Sequence, residues 1–276
     1  MSTVPPSSNF PPIITLTTDF GVGSPYVAAM KGVMLSIDPS ARLIDLSHAI
    51  EPQQVRQAAM FLAETTGLFP AGSLHVVVVD PGVGTSRAIV YVEIDTQCYL
   101  CPDNGLLSLV QKKARLAKPG EPTKIRHITS EQYYRHPVSP TFHGRDIMAP
   151  VAARLSLGLA PEALGPPLES LQELTWPVAF KVANRITGEI ITVDSFGNLV
   201  TNITKIQLEG VPTGTEVGIF CEDHETRGIF TTYADQPPMT LIGLVSSSDQ
   251  LELAIVDGSA ATMLSLGVGA SVEVRW

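Results

Sequence analysis

From Ile13 to about Leu159, short runs of β-favouring residues alternate with longer segments whose apolar residues recur at helical spacing. That alternation predicts a layered α/β domain on a mainly parallel central sheet, because parallel neighbours need a crossover between them. Ile13–Thr18, Leu43–Leu46 and Leu74–Val79 are the clearest strands. The run Val76-Val77-Val78-Val79 is apolar toward both faces, which places its strand centrally with helices above and below. Pro25–Ile37 and Pro52–Thr65 each open on a proline suited to a first helical turn and read as helices.

A different pattern starts near Asn184. Short Val-, Ile- and Thr-rich runs such as Ile186–Val193, Glu216–Phe220, Leu251–Ile255 and Ser271–Val274 are parted by Gly, Pro, Asn and Asp. They predict a small all-β domain, a barrel. The prolines from Pro161 through Pro166-Pro167 to Pro177 resist helix and central strand alike and mark the joint. The expected division is an α/β domain over residues 1–180, with its linker from about 161, and a β-barrel domain over 181–276.

With 44% hydrophobic and 16% charged residues in 276, the surface is economical in charge, which favours self-association. A net charge of −9 and the lack of a Lys/Arg run argue against nucleic-acid and anionic-membrane partners. The opening Met1–Pro12 stretch lacks the apolar core of a secretory leader, so the expected compartment is the cytoplasm. Three cysteines suit a reducing compartment; Cys98 and Cys101 fall in a strand-like run and read as small apolar residues rather than a redox or zinc pair.

Ligands of open α/β sheets sit beyond the carboxyl ends of the strands, and three polar segments fall at such ends. Thr17–Ser24 offers Asp19, suited to a ribose diol or equally to capping the following helix. Asp80–Arg87 follows the most apolar strand; Asp80 needs a partner there, and Arg87 supplies either a functional group or a structural clamp. Pro140–Asp146 gathers His143, Arg145 and Asp146 at a helix start, where the last two could serve only capping and ion pairing. Among the histidines, His143 is the candidate. His75 lies inside a strand, His127, His136 and His224 lie in polar stretches, and the neighbours of His48, Ser47 and Ala49, supply no evident chemistry.

In combination, TTDFG at Thr17–Gly21, DPGVGT at Asp80–Thr85 with Arg87, PDNGLL at Pro102–Leu107, FHGRD at Phe142–Asp146 and DSFGNLVTNI at Asp194–Ile203 resemble the S-adenosylmethionine hydrolase (SAM hydroxide adenosyltransferase) family. Fluorinases and chlorinases are its relatives. The resemblance implies a catalytic set of Asp80, Arg87 and His143 around an attacking water; the halogenating relatives carry an aromatic residue where this chain has Asp80. It further implies Asp19 on the ribose, Ser24 and Tyr26 along the methionine, and Asp194 on its ammonium. Phe196 and Asn198 would meet adenine and Ser247 the methionine carboxylate, the last within Ser246-Ser247-Ser248-Asp249 where the family carries N-S-x-G. A homotrimer with inter-subunit sites and no metal or other cofactor is also implied. The alternatives are a halogenase or other adenosyl transferase on the same scaffold, a non-catalytic adenosyl-metabolite sensor, and a metal-dependent hydrolase.

Overall fold

A computed structural model describes residues 13–276; the Met1–Pro12 stretch read above lies outside the described residues. The chain forms two compact units that meet in sequence between Leu174 and Thr175.

The first unit carries β1 (Ile13–Thr18), α1 (Pro25–Ile37), β2 (Arg42–Ser47), α2 (Val55–Thr65) and β3 (Leu74–Val78). It continues through β4 (Ile89–Ile94), β5 (Gln97–Pro102), α3 (Ser108–Ala117), β6 (Lys124–His127) and α4 (Ala149–Ser156). The strand order is β2-β1-β3-β5-β4-β6, with β3 inside as its valines require. Val76 and Val78 join one apolar core with Met30, Met34 and Met148, whereas Val77 and Val79 join the other with Leu62 and Tyr99. This alternation is the two-residue period of a strand covered on both faces.

Two expectations need correction. The sheet is mixed: β1 pairs in parallel with β2 and β3, and β3 with β5, but β4 runs antiparallel to both β5 and β6. The short loop after β3 returns the chain to the sheet at the edge it has just left, so β4 has to run the opposite way. The second helix starts at Val55 rather than Pro52, because Gln53 takes a left-handed conformation (φ 66°) that ends any helical path through Pro52. α1 does begin on Pro25, with the Ser24 side chain accepting from Tyr26 N–H at 3.3 Å.

The second unit holds β7 (Phe180–Val182), β8 (Arg185–Val193), β9 (Leu199–Thr204), β10 (Gly218–Cys221) and β11 (His224–Arg227). β12 (Ile229–Phe230), β13 (Leu241–Val245), β14 (Gln250–Ile255), α5 (Ala260–Leu264) and β15 (Ser271–Arg275) complete it. Their order β11-β10-β15-β8-β9-β14-β13-β12, with β7 beside β8, makes a barrel-like sheet around a core of Ile186, Ile190, Leu253 and Val274. No helix among the described residues is long and apolar enough to cross a membrane.

Candidate active site

Parallel register sets the first two site residues side by side. Thr18 of β1 pairs with Val78 of β3, so Asp19 and Asp80 leave the same sheet edge from adjacent strands. The antiparallel β4 starts at that edge too, since its first residue Ile89 pairs with Pro102 at the end of β5, and this brings Arg87 back beside Asp80.

Between them the chain folds on itself: Thr85 Oγ1 donates to Gly82 O at 2.7 Å, and Val83 N–H to Asp80 O at 3.2 Å. Gly84 has φ 79°, and a Cβ there would lie 2.4 Å from Pro140 O. Only glycine lets this loop reach the segment bearing His143. Asn104, from PDNGLL, donates to Val79 O at 3.0 Å and steadies the strand end from which Asp80 projects.

Arg87 Nε donates to Asp80 Oδ1 at 2.9 Å and Oδ2 at 3.0 Å, and its Nη2 bonds Oδ2 as well. Nη2 also lies 2.9 Å from His143 Nδ1. Both members of the ion pair are nearly buried, with side chains 5% (Asp80) and 11% (Arg87) exposed. Such a fork is geometrically specific. A guanidinium has no acceptor, so Nδ1 must accept and the neutral ring carries its hydrogen on Nε2. Burial, followed by the charge of Arg87, holds the His143 pKa below its ordinary value.

His143 precedes a π-helical turn, Gly144–Met148, which runs into α4. Asp146 in that turn is fully buried, accepting from Arg145 at 2.7 and 2.8 Å, Arg135 at 3.0 Å and Ser139 N–H at 2.9 Å. Arg145 and Asp146 are therefore an internal brace, the ion-pairing alternative left open by the sequence.

Asp19, Asp80 and His143 border one cleft with Phe20, Val83 and Phe142. The rings of Phe20, Tyr26 and Phe142 meet at centroid distances of 5.2–5.8 Å and form an aromatic wall. Asp19 does not cap α1; its Oδ2 accepts from Gln53 N–H at 2.8 Å. A roomier cavity between α2 and α3 holds none of these residues, and its polar groups are already paired, Tyr99 with Thr66 and Lys118 with Asp95.

The barrel-like unit brings its own candidates together in the turn between β8 and β9. Asp194 Oδ1 accepts from the N–H groups of Phe196 (2.9 Å) and Asn198 (2.8 Å), and Oδ2 from Asn198 Nδ2 (2.9 Å). Gly197, at φ 84°, sits so tightly that a Cβ would fall 2.0 Å from Ser259 Oγ. The result buries Asn198 and leaves the Phe196 ring 77% exposed. Ser247 is exposed at the tip of the β13–β14 hairpin, apart from that turn's hydrogen bonds.

Sequence reasoning passed over two groups. His48 finds its partner across the sheet edge, Thr18 Oγ1 at 2.9 Å, which its own neighbours could not reveal. Glu252 is buried on β14, accepts from Tyr233 O–H at 2.7 Å, and has its pKa raised by burial and by the nearby Asp194 charge. The lone Glu in the apolar run Leu251–Ile255 was its only signal.

The fold and cleft define a two-unit α/β-plus-β protein with an Asp–Arg–His cluster at the carboxyl edge of its sheet. Residues 14–165 match the SAM hydroxide adenosyltransferase N-terminal domain and residues 188–273 the C-terminal domain; the chain belongs to this family. It is 37% identical over 265 residues to an (R)-S-adenosyl-L-methionine hydrolase of Salinispora arenicola, covering 95% of this chain and 97% of the relative. A fluorinase of Nocardia brasiliensis is 27% identical over 296 residues, covering 96% and 97%. A crystal structure of an uncharacterized conserved protein from Thermotoga maritima superposes with a TM-score of 0.86 at 35% identity, covering 96% of this chain and all of that one.

Proposed function

We propose that this protein hydrolyses S-adenosyl-L-methionine to adenosine and L-methionine, with water attacking ribose C5′ in line with the carbon–sulfur bond. The observation that carries this reading is the Asp80–Arg87–His143 cluster beside Asp19, in a chain 36% to 37% identical along almost its whole length to proteins named as hydrolases of this compound.

The sulfonium already makes methionine a neutral leaving group, so neither an acid on sulfur nor a cofactor is required. What the protein must supply is a positioned nucleophile. Free water, with a pKa of about 15.7, is a poor one. Beside Arg87 its hydroxide-like form is favoured; His143 donates to it through Nε2–H and Asp80 accepts its proton. Approach of that anionic species to a sulfonium cancels charge, which a low-dielectric cleft favours.

On this reading Asp19 takes the ribose diol, and Ser24 and Tyr26 line the methionine. Phe196 stacks on adenine while the amide of Asn198 reads its edge; Asp194 takes the ammonium and Ser247 the carboxylate of the amino acid. The protein works as a cytoplasmic homotrimer, each site completed by a neighbour's small domain.

The test is incubation with S-adenosylmethionine in oxygen-18 water, supplying each sulfonium epimer separately because the relatives' name specifies (R). Label at the adenosine 5′ oxygen supports hydrolysis; unlabelled adenosine, or a halogenated nucleoside in the presence of halide, overturns it.

A further inference from the structure

We infer that His48 is a positioning residue that holds the Asp19 loop in the geometry needed to grip a ribose diol. The inference rests on the assignment of the diol to Asp19. β2 ends at Ser47, which pairs with Thr17, so the next residue, His48, emerges directly beside Thr18 and one step from Asp19.

Three contacts tie the Asp19 loop to the 48–53 segment. Thr18 Oγ1 lies 2.9 Å from His48 Nδ1, Gly21 N–H donates to His48 O at 2.9 Å, and Gln53 N–H donates to Asp19 Oδ2 at 2.8 Å. Thr18 Oγ1 also accepts from Phe20 N–H at 3.3 Å. Its own hydrogen is therefore free to go to Nδ1, which puts the imidazole hydrogen on Nε2.

That side of the ring faces Asp45, whose Oδ1 lies 3.0 Å from Nε2, close enough for attraction but outside hydrogen-bond alignment. Lys31 holds the other oxygen of Asp45 at 2.6 Å. Of the two links, the bond to Thr18 is the aligned one and acts directly on the loop. It fixes the start of the turn while Gln53 orients the carboxylate, so Asp19 presents its remaining lone pairs in one direction. A diol needs such preorientation, since both hydroxyls must meet one carboxylate at once.

Asparagine and glutamine separate the two links. In His48→Asn the amide falls where Nδ1 lies and can still take the Thr18 hydroxyl; in His48→Gln the amide falls where Nε2 lies and cannot. Calorimetry with adenosine and 2′,3′-dideoxyadenosine reports the diol alone, and hydrogen exchange of the unliganded Phe20 and Gly21 amides reports the loop.

His48→Ala and His48→Gln should shrink the preference for adenosine by about fivefold to tenfold, the effect of one aligned hydrogen bond, and speed exchange at Phe20. His48→Asn should retain most of both. In turnover, KM should rise far more than kcat falls, because Asp80, Arg87 and His143 stand on other segments. Thr18→Val, which removes the same bond from its other end, substitutes for any His48 variant that fails to fold.

Wild-type preference and exchange in His48→Ala, or in Thr18→Val, overturn the inference, as does loss in His48→Asn equal to that in His48→Gln. Asp19→Ala is the separate control. If it leaves the adenosine preference intact, the ribose assignment fails and the diol clause with it, while the exchange data still decide whether His48 holds the loop.

Discussion

Arg87 and His143 share a single hydrogen bond of 2.9 Å in which the imidazole Nδ1 is the acceptor. Burial resists a second proton on the ring, and a proton added at Nδ1 would in addition face the guanidinium N–H. The His143 pKa is accordingly below 6.5. Turnover should stay level as pH falls from about 8 through the ordinary histidine range and decline only below it, where His143 gains its second proton. A pH profile of kcat checks this; an acid limb centred at or above 6.5 contradicts it.

The fork of Arg87 reaches both Asp80 oxygens and His143 at once. Lysine has one point of attachment, so Arg87→Lys should resemble Arg87→Ala rather than the wild type. Either change, or Asp80→Ala or His143→Ala, should lower kcat by roughly a hundredfold or more with substrate affinity kept within about tenfold. Single-turnover rates and equilibrium titrations on each variant separate the two quantities, and wild-type kcat in all of them would remove the cluster from the mechanism.

Phe196 and Asn198 should fail in different ways. The Phe196 ring is mostly exposed, so Phe196→Ala should leave thermal stability nearly unchanged while weakening every purine nucleoside by about 1–3 kcal/mol. Asn198 is buried and its Nδ2 is engaged by Asp194, so Asn198→Ala should lower stability and also narrow the preference for adenosine over inosine. Calorimetric titration of both nucleosides decides; an unchanged ratio would mean Asn198 only supports the turn.

Assembly is tested by complementation. On the proposed trimer with shared sites, Asp80→Ala and Asn198→Ala chains, each impaired alone, should recover part of the activity when refolded together, since some mixed sites would take an intact Asp80 from one chain and an intact Asn198 from another. Mixed trimers of verified composition with no recovery would place each site within one chain.

A further effect concerns stability. His75 is fully buried, with Nδ1 2.7 Å from Thr15 Oγ1 and Nε2 3.2 Å from Gln97 Oε1, and burial pushes its pKa down to about 4. The unfolded chain binds this proton near pH 6.5 and the folded chain only near 4, so stability is whole above 6.5 and drains as pH falls between the two. The loss should reach on the order of 3 kcal/mol at the acid end. Urea unfolding across that range should be less steep in pH for His75→Gln than for the wild type; equal slopes would refute it.

The strands were legible because their apolar runs are short and bounded by turn residues, and the Asp19 and Asp80 segments because each follows the carboxyl end of a strand, where ligands of such sheets sit. The Pro140–Asp146 segment, expected at such an end as well, instead follows a loop well beyond β6 and delivers His143 from a helix start. The antiparallel β4 was harder to see. The turn joining it to β5 is Asp95-Thr96, with Asp95 at φ 53°, and lacks the Asn-Gly or Asp-Gly pair that announces a hairpin. The displaced start of α2 depended on the backbone of Gln53, whose N–H is engaged by Asp19, a contact of 34 residues' separation that no local pattern encodes. His48 was missed for the same reason: the hydroxyl that gives it a task comes from the adjoining strand. Asp146 was read only in part, since its total burial follows from Arg135 arriving from a preceding loop.

The mutual neutralisation of Asp80 and Arg87 also bears on which nucleophiles are admitted. A chloride or fluoride ion seeking the guanidinium would find its charge already answered by a carboxylate on the same two nitrogens. Its approach would set it against the Asp80 carboxylate, a repulsion that grows as water is expelled. Water carries no charge into the site and incurs none of it. On the proposed reaction the ion pair would thus act as an anion filter, admitting a nucleophile that becomes anionic only as it surrenders a proton beside a cationic substrate.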